Sequence, residues 1–485
     1  MTARPSSTET IASLVGRHAR ERADDVAFIE AASGEAMTWH EYDERSSRMA
    51  GTLATAYDPG DRIAIQLPDG PAAHAVMLAC EKAGIVAVGI GARAGAREVA
   101  HLVERTGARA LLTVEPPESE HAPQPAMTAR DLWFLNSTSG TTGLPKIVMH
   151  DQARWFAFHE IAQRIAQFDP ADVFLSALPA PFGFGLWTAH FTPTIVGAPC
   201  IVCARFDAEQ ALAAIERYRV TVLAAVSTQF VMLLNSPAVD TYDLSSLRVM
   251  FTGGEMVPYE RAREFEQRTG AAVLQFYGSN ETGALSATTP DDPPELRLRT
   301  AGRVLPEMQV RLLDPDTDAD STATGGPGVP AGRGPTLCLG YWDDARANEG
   351  LWTRDGWMRM GDLATIDAKG YLTVVGRTSD VIIRGGKNVS AAQVEDEVGS
   401  HPAVALCAAV AMPDATFGER VCVFVELRSG HDALTLEALN EHLAGRGVGK
   451  ELWPERLEVV DALPRSSGGK LAKGELVAIA RTFAS

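Results

Sequence analysis

The sequence lacks any apolar run long enough to cross a bilayer, and its start, MTARPSSTETIASLV, lacks the charged-then-apolar pattern of a signal peptide. Cysteine is scarce as well, with six residues scattered over 485 positions. A long chain with few, dispersed cysteines and no signal is expected to keep its thiols reduced. These absences predict a cytoplasmic protein without a membrane partner.

Positive charge is also in deficit, because 44 Lys and Arg face 62 Asp and Glu for a net charge of −18. A field of that sign repels nucleic acid and anionic lipid, so neither is an expected partner. An anionic ligand must therefore meet a local cluster of Lys, Arg and backbone N–H groups.

Metal or redox chemistry at a cysteine pair is not favoured either. The single CxxC, Cys200 to Cys203, lies in the apolar stretch PCIVCARF, which is typical of a buried strand. Residues three apart on a strand point to opposite faces, and no second CxxC is present.

The chain is long enough for at least two domains, and 46% hydrophobic residues allow a sizeable core. Short apolar runs, such as RIAIQLP, FLSALPA, APCIVCA and LRVMFTG, alternate with amphipathic stretches such as AEQALAAIERYR. This rhythm predicts an α/β fold with layered sheets and helices over residues 1–378. Residues 115–127, rich in Pro, Glu and His, are predicted to form a surface loop, and residues 314–335, dense in Gly, Pro, Asp and Thr, are predicted to be a flexible excursion or a boundary region.

The last part of the chain, residues 379–485, is predicted to be a small, mobile α+β domain. The pattern there indicates a strand at VIIRGG, a helix over about 390–399 and two strands, AVALCAAVAM and RVCVFVEL. A helix near 434–444 and the strand ERLEVV complete a unit of ordinary domain size.

The most informative segment is NSTSGTTGLPK, from Asn136 to Lys146. Glycines allow backbone N–H groups to converge on an anion, hydroxyl side chains add donors and Lys146 adds a charge. The usual P-loop pattern, GxxxxGK[ST], is absent. Composition alone therefore indicates no more than a possible phosphate site.

This wording closely resembles the phosphate loop of the adenylate-forming superfamily, which comprises acyl- and aryl-CoA synthetases, adenylation domains of peptide synthetases and luciferases. Five further segments resemble the family in the same order. For this loop the resemblance implies ATP contacts from Ser137, Ser139, Gly140, Thr141, Thr142, Gly143 and Lys146, and a catalytic role for Thr138.

Three segments resemble the family's nucleotide-binding motifs: YGSNETG, GWMRMGDL and GRTSD. The resemblance implies that Tyr277 contacts adenine, Glu281 holds Mg²⁺ and supports catalysis, Asp362 binds the ribose and Arg377 binds ribose or phosphate. It also brings to the nucleotide Gly254, Glu255, Gln275, Phe276, Gly278 and Asn280. The chain departs from the pattern where Asn280 and Met360 replace threonines, and where Ser379 occupies the hinge position.

The small domain carries two further matches. RGGKNVS resembles the glycine turn that lines the pantetheine tunnel of coenzyme A, which implies that role for Gly385, Gly386 and Lys387. A tight turn would explain the two glycines equally well. PRSSGGKLAK resembles the loop of the family's catalytic lysine, which implies that Lys470 bridges the attacking carboxylate and the α-phosphate.

The acyl pocket is expected around LPAPFGFGLW, where Phe182 stands at a position that is His in many relatives. By resemblance the pocket residues are Phe182, Gly183, Phe184, Ser227, Phe230, Gly253 and Ser279. Aromatic side chains favour an apolar, bulky acid, either aryl, alicyclic or polycyclic. No Asp marks an amino group on the substrate, which disfavours amino acids.

The resemblance therefore implies an AMP-forming acid–thiol ligase that uses ATP, Mg²⁺ and coenzyme A. Four alternatives remain: loading of a carrier protein, competence in only one half-reaction, a nucleotide-binding scaffold without catalysis, and a luciferase-type oxygenase. The sequence does not set the oligomeric state, and a dimer is one option.

Overall fold

A computed structural model describes residues 9–120, 123, 127–138, 145–255, 257–324, 326–377, 381–384, 387–414, 416–428, 430–465 and 471–483. It consists of two large sheets with covering helices, several small sheets and a separate C-terminal sheet. The predicted layered α/β class is therefore confirmed. The predicted boundary at residues 378 and 379 lies outside the described residues, and both it and the mobility of the C-terminal part stay predictions.

Strands occur throughout the chain, in both the large N-terminal part and the C-terminal part. In chain order they are β1 Val26–Glu30, β2 Ala36–Thr38, β3 Arg62–Ile65, β4 Val86–Gly89, β5 Ala110–Leu112, β6 Phe134–Ser137, β7 Ile147–His150, β8 Phe174–Ser176, β9 Cys200–Val202, β10 Val222–Ala224, β11 Val249–Gly253, β12 Ala272–Ser279, β13 Gly283–Ala287, β14 Arg303–Val304, β15 Gln309–Leu313, β16 Val329–Arg333, β17 Gly340–Tyr341, β18 Met358–Arg359, β19 Asp362–Ile366, β20 Leu372–Arg377, β21 Val381–Arg384, β22 Lys387–Ser390, β23 Val404–Asp414, β24 Gly418–Leu427 and β25 Arg456–Val459.

Helices connect most of these strands. In chain order they are α1 Ile11–Glu21, α2 Trp39–Ala56, α3 Pro71–Lys82, α4 Ala96–Thr106, α5 Ala153–Ala166, α6 Gly183–Gly185, α7 Thr192–Val196, α8 Ala208–Tyr218, α9 Ser227–Asn235, α10 Tyr259–Thr269, α11 Pro294–Arg299, α12 Ala345–Leu351, α13 Ala391–Gly399, α14 Leu436–Gly445 and α15 Lys473–Arg481. A π-helical turn, Leu186–Phe191, lies between α6 and α7.

The larger sheet has the strand order β14-β13-β12-β11-β10-β8-β9-β1-β2, and its strands from β12 to β1 run parallel. The second sheet has the order β17-β7-β6-β4-β3-β5, with β6, β4, β3 and β5 parallel. Parallel strands need helical crossovers and are covered on both faces, which explains the alternation of apolar runs and amphipathic stretches in the sequence.

Strand alternation distributes the apolar side chains between different cores. In β3, Ile63 and Ile65 pack into a core to which both large sheets contribute, whereas Ala64 faces the helix on the other side of its sheet. The CxxC residues divide in the same way, since Cys200 belongs to the shared core and Cys203 to the core on the opposite face of the larger sheet. The prediction that these two thiols point to opposite faces is confirmed.

The prediction of a flexible excursion or boundary region over residues 314–335 is wrong for residues 329–333. Residues Val329–Arg333 form β16, which pairs antiparallel with β15 and with β18. The segment contains Pro and Gly and little apolar surface, so the ladder to β15 rather than local propensity makes it a strand. The rest of the segment contains only a short 3₁₀ turn, Thr322–Thr324, among the residues that the structure describes.

The C-terminal part matches its predicted elements closely. β21 to β25 form one five-stranded sheet with α13 and α14 packed on it, and Val421, Val423 and Val425 alternate into its core. The predicted compact α+β unit is confirmed. Within the described ranges, no helix is both long and apolar enough to span a membrane.

Three buried histidines are expected to make the free energy of unfolding fall as the pH drops below 6.5. Burial lowers the pKa of His150, His190 and His159, in the last case to about 4. Below pH 6.5 the unfolded chain binds protons that the folded chain does not, so acid favours unfolding by about 1 kcal/mol per histidine between pH 7 and 5.5. Urea unfolding at both pH values measures this. His159→Gln should remove about one third of the loss, and a pH-independent free energy of unfolding would contradict the prediction.

Candidate active site

The predicted site residues converge where parallel strands of the larger sheet end. Strands β8, β10, β11 and β12 finish at the same edge, because they run parallel and side by side. The segments that follow them contain Phe182, Ser227, Glu255 and Glu281. In open α/β sheets the crevice outside the carboxyl ends of the strands is the usual ligand site.

The phosphate-loop segment enters this edge from the second sheet. It connects β6 to β7, which pair antiparallel with Ser137 opposite Ile147. The backbone N–H of Thr138 donates to the carbonyl oxygen of Lys146 at 2.9 Å, so the two ends of the loop are held together. The predicted phosphate-binding residues Ser139, Gly140, Thr141, Thr142 and Gly143 lie outside the described residues.

A tyrosine joins the end of the phosphate loop to the predicted metal ligand. The Nζ of Lys146 lies 4.8 Å from the ring centroid of Tyr341, and the Tyr341 hydroxyl donates to Glu281 Oε1 at 2.8 Å. Burial, together with the neighbouring Glu281, raises the pKa of Tyr341, so the hydroxyl stays a proton donor. Lys146 and Glu281, distant in sequence, thus share one partner that was not among the predicted site residues.

A second contact joins the residues predicted for adenine and ribose. The Tyr277 hydroxyl donates to Asp362 Oδ2 at 2.9 Å. Asp362 pairs with Arg377 across β19 and β20, so the backbones of the predicted ribose and phosphate residues are adjacent, although the Arg377 side chain is not described. At Gly278, a Cβ would overlap the carbonyl oxygen of Gly283 in the tight turn between β12 and β13, which explains the glycine there.

The side chains of Gln275 and Phe276, which directly precede Tyr277 on β12, contact other parts of the protein. The Gln275 amide donates to the carbonyl oxygen of Arg297 at 3.0 Å and so holds helix α11 rather than facing Tyr277. Phe276 points to the other face, where its ring lies 5.2 Å from that of Trp187. The predicted nucleotide contacts of both residues stay predictions.

The end of β11 meets the start of α9. The carboxylate of Glu255 accepts the backbone N–H of Thr228 at 3.3 Å, next to Ser227. Gly253 lies directly against the backbone of Phe276, since a Cβ there would be 2.6 Å from the Phe276 carbonyl oxygen, and Gly254 has a φ of +80°. The structure therefore brings together the predicted residues Ser227, Gly253, Gly254 and Glu255.

Aromatic rings surround the predicted acyl segment. Phe184 stacks on Trp187 with ring centroids 5.7 Å apart, and Trp187 also contacts Phe158, Phe251 and Phe276. Trp187 belongs to the π-helical turn and was not among the predicted residues, although it ends the LPAPFGFGLW segment. Trp187 is 2% exposed, so within this cluster the half-buried ring of Phe184 is the one that can face a substrate, with Trp187 packed behind it.

Two predicted pocket residues make structural contacts instead, one in the core and one in a turn. Phe230 is fully buried in the core on the opposite face of the sheet, with its ring 6.0 Å from that of Phe265. The Ser279 hydroxyl accepts the backbone N–H groups of Glu281 and Thr282 at 3.2 and 3.1 Å, and so shapes the turn that presents Glu281. Their contact with an acyl group stays a prediction.

Two family models, one for each part of the same kind of enzyme, match most of the chain. The AMP-binding enzyme profile matches residues 15–127 and 113–342, and the profile of the AMP-binding enzyme C-terminal domain matches residues 393–470. The chain belongs to the AMP-binding enzyme family. The predicted membership of the adenylate-forming superfamily is confirmed, and with it the mixed fold of a large N-terminal and a smaller C-terminal domain.

Relatives place this AMP-binding enzyme in the acyl- and aryl-CoA synthetase branch. The medium-chain fatty-acid–CoA ligase of Escherichia coli K12 is 30% identical over 94% of this chain and 88% of its own. A feruloyl-CoA synthase of an Amycolatopsis species is 31% identical over 91% of this chain and 94% of its own. The crystal structure of the anthranilate CoA ligase AuaEII with anthranoyl-AMP has a TM-score of 0.90 at 21% identity, covers 98% of both chains and shows the shared fold. The predicted AMP-forming acid–thiol ligase activity is confirmed at this level.

The small domain of this AMP-binding enzyme rests on helix α10 of the large domain. Asp396 of α13 accepts the backbone N–H of Tyr259, and Arg428 Nη1 lies 3.9 Å from Glu264 Oε2. Burial raises the pKa of Asp396. The predicted residues Lys470, Gly385, Gly386 and Ser379 lie outside the described residues, and Lys387 is described only through its backbone pairing in β22.

Proposed function

We propose that this enzyme activates an apolar aryl, alicyclic or polycyclic carboxylic acid with ATP and transfers the acyl group to coenzyme A. The observation that carries the proposal is the meeting of two pairs at one sheet edge: Lys146 and Glu281 around Tyr341, and Tyr277 with Asp362. One pair offers charges suited to a polyphosphate, and the other offers a ring and a carboxylate suited to a nucleoside.

The two half-reactions differ in the groups that react and in their charges. In the first, a carboxylate oxygen bonds to the α-phosphorus and pyrophosphate leaves; in the second, a thiolate bonds to the acyl carbon and AMP leaves, with the thiol proton lost to solvent or base. The first step joins two anions, so positioned positive charge must lower its barrier. Lys146 and the hydroxyl-rich loop serve the leaving phosphates, and Lys470 serves the attacking carboxylate.

The residues present fit a magnesium ion bound together with the nucleotide. Mg²⁺ prefers oxygen ligands and is commonly held by one or two carboxylates plus substrate phosphates. Tyr341 orients the Glu281 carboxylate beside the lysine of the phosphate loop. In the part of the chain that the structure describes, no group of three or more His, Cys, Asp or Glu side chains could hold a metal ion, which agrees with a site completed by substrate. The ion would neutralise phosphate charge.

The aromatic lining supports an apolar acid. The half-buried ring of Phe184 lies beside Gly183 and stacks on the buried Trp187, and such a ring favours flat or bulky apolar groups.

A panel of acids with ATP, Mg²⁺ and the acceptor, read by mass spectrometry, tests the proposal. We expect acyl-CoA from aryl or alicyclic acids and little product from amino acids or dicarboxylates. Carrier-protein loading is the second candidate, and an arm with an acyl carrier protein in place of coenzyme A separates the two. The net charge of −18 disfavours docking of an acidic carrier.

A half-enzyme is tested in the same assay. Asn280, Met360 and Ser379 depart from the family pattern, and Met360 Sδ receives the Thr282 hydroxyl at 3.2 Å. Pyrophosphate release without thioester, from every acid in the panel, would refute the full reaction. Absence of acid-dependent pyrophosphate release with every acid would refute the proposed function itself.

A further inference from the structure

A buried amide lies at the root of the phosphate loop. Asn136, on β6, is 1% exposed, and its Oδ1 accepts from Asn280 Nδ2 at 2.7 Å and from His150 Nε2 at 2.8 Å. Its Nδ2 donates to the carbonyl oxygen of Pro181 at 3.0 Å. The Asn136 side chain therefore contacts the Asn280–Glu281 segment and the acyl segment from the strand that starts the phosphate loop.

A buried arginine fixes the direction of these hydrogen bonds. Arg154 Nη1 lies 2.7 Å from His150 Nδ1, and because a guanidinium only donates, Nδ1 must accept. The proton of the neutral ring is then on Nε2, which donates to Asn136 Oδ1. Burial and the charge of Arg154 lower the pKa of His150, which keeps the ring neutral. Donation into Oδ1 from two sides sets the orientation of the Asn136 amide.

Arg154 also contacts the segment that contains Asn280. Arg154 Nη1 donates to the backbone carbonyl oxygen of Asn280 at 2.9 Å, and Asn280 directly precedes Glu281. The Asn280 side chain also packs directly against Gly183, where an added Cβ would lie 2.7 Å from Asn280 Oδ1. Hydrogen bonds among Asn136, His150, Arg154 and Asn280 thus connect the two large sheets at the site.

We propose that Asn136 and Asn280 form a positioning pair that holds the phosphate-loop root and Glu281 in one register for ATP, with His150 and Arg154 as its support. The inference rests on the proposed function, because it assigns these segments to the nucleotide. Asn280 then acts through Asn136 rather than by binding a phosphate itself.

A double-mutant cycle tests the pair. Asn136→Leu removes the amide at similar volume, and Asn280→Ala removes its partner from a half-buried turn. We expect each single variant to raise KM for ATP about tenfold and the double variant to raise it no further than the larger single effect, because both break one coupled contact. Multiplicative effects, or a KM for ATP within about twofold of wild type in Asn280→Ala, would overturn the inference.

A matched control separates positioning from general destabilisation. Gln152 precedes helix α5 and is also a fully buried amide, but its Oε1 accepts the backbone N–H of Ile11 at 2.9 Å, away from the site. Gln152→Leu should lower the melting temperature without changing KM for ATP, and an equal rise in KM would overturn the inference. Calorimetric binding of α,β-methylene ATP with Mg²⁺ gives the same cycle as Kd values. If the wild type binds this analogue but no acid supports pyrophosphate release, the proposed function fails while the cycle still decides the pair.

Discussion

Alanine at position 470 is expected to slow acid-dependent pyrophosphate release by about 10²–10³-fold, the usual effect of removing one donor aimed at developing charge. The carboxylate and the triphosphate repel each other, and Lys470 is the cation that the family motif assigns to the point between them. Thioester formation from a preformed acyl-adenylate should change little, because the attacking thiolate meets a neutral acyl carbon. Stopped assays of each half-reaction measure the two rates separately.

A nearby lysine provides the control for this variant. Lys473 starts α15, and its Nζ lies 2.7 Å from Glu395 Oε1 within the small domain. Lys473→Ala removes the same charge from the same stretch of chain, and we expect pyrophosphate release within about threefold of wild type because its ion pair is part of the small domain. Equal losses in the two variants would mean that the small domain is destabilised, and full activity of Lys470→Ala would remove the lysine from the mechanism.

Much of the fold could be predicted because strand periodicity and burial leave strong marks in the sequence. The apolar runs of β8, β9 and β11 are buried on both faces, and such runs between amphipathic stretches indicate parallel strands. Strand β16, VPAGR, carries no such mark. It is a strand because it completes a ladder between β15 and β18, and this long-range pairing cannot be read from five residues.

The candidate site could be predicted where one motif carries the chemistry, and not where contacts cross between segments. Tyr277 and Asp362 come from different motifs, and the structure brings them into direct contact. Asn136 opens the NSTSGTTGLPK segment and Tyr341 belongs to none of the predicted motifs. The contacts of both side chains arise from β17 pairing with β7 and from the two sheets meeting, which the sequence does not reveal. Gln275 shows the opposite limit. Its position two residues before the YGSNETG motif does not tell whether α11 covers its side chain.

Glutamine in place of Glu281 is expected to lower pyrophosphate release by about 10²–10³-fold and to raise the Mg²⁺ concentration for half-maximal rate. The substitution keeps an oxygen that can accept from the Tyr341 hydroxyl, so the turn should persist while the negative charge is lost. Because hard cations bind carboxylates far better than amides, the loss isolates the metal-binding charge. Rates measured against Mg²⁺ at saturating ATP and acid give both quantities.

Glu307→Gln, which breaks a surface pair with Arg164 at 2.9 Å, changes net charge equally and should leave the Mg²⁺ dependence unchanged. An unaltered Mg²⁺ dependence in Glu281→Gln would move the metal ligand elsewhere, and Tyr341 would then hold Glu281 for a structural reason.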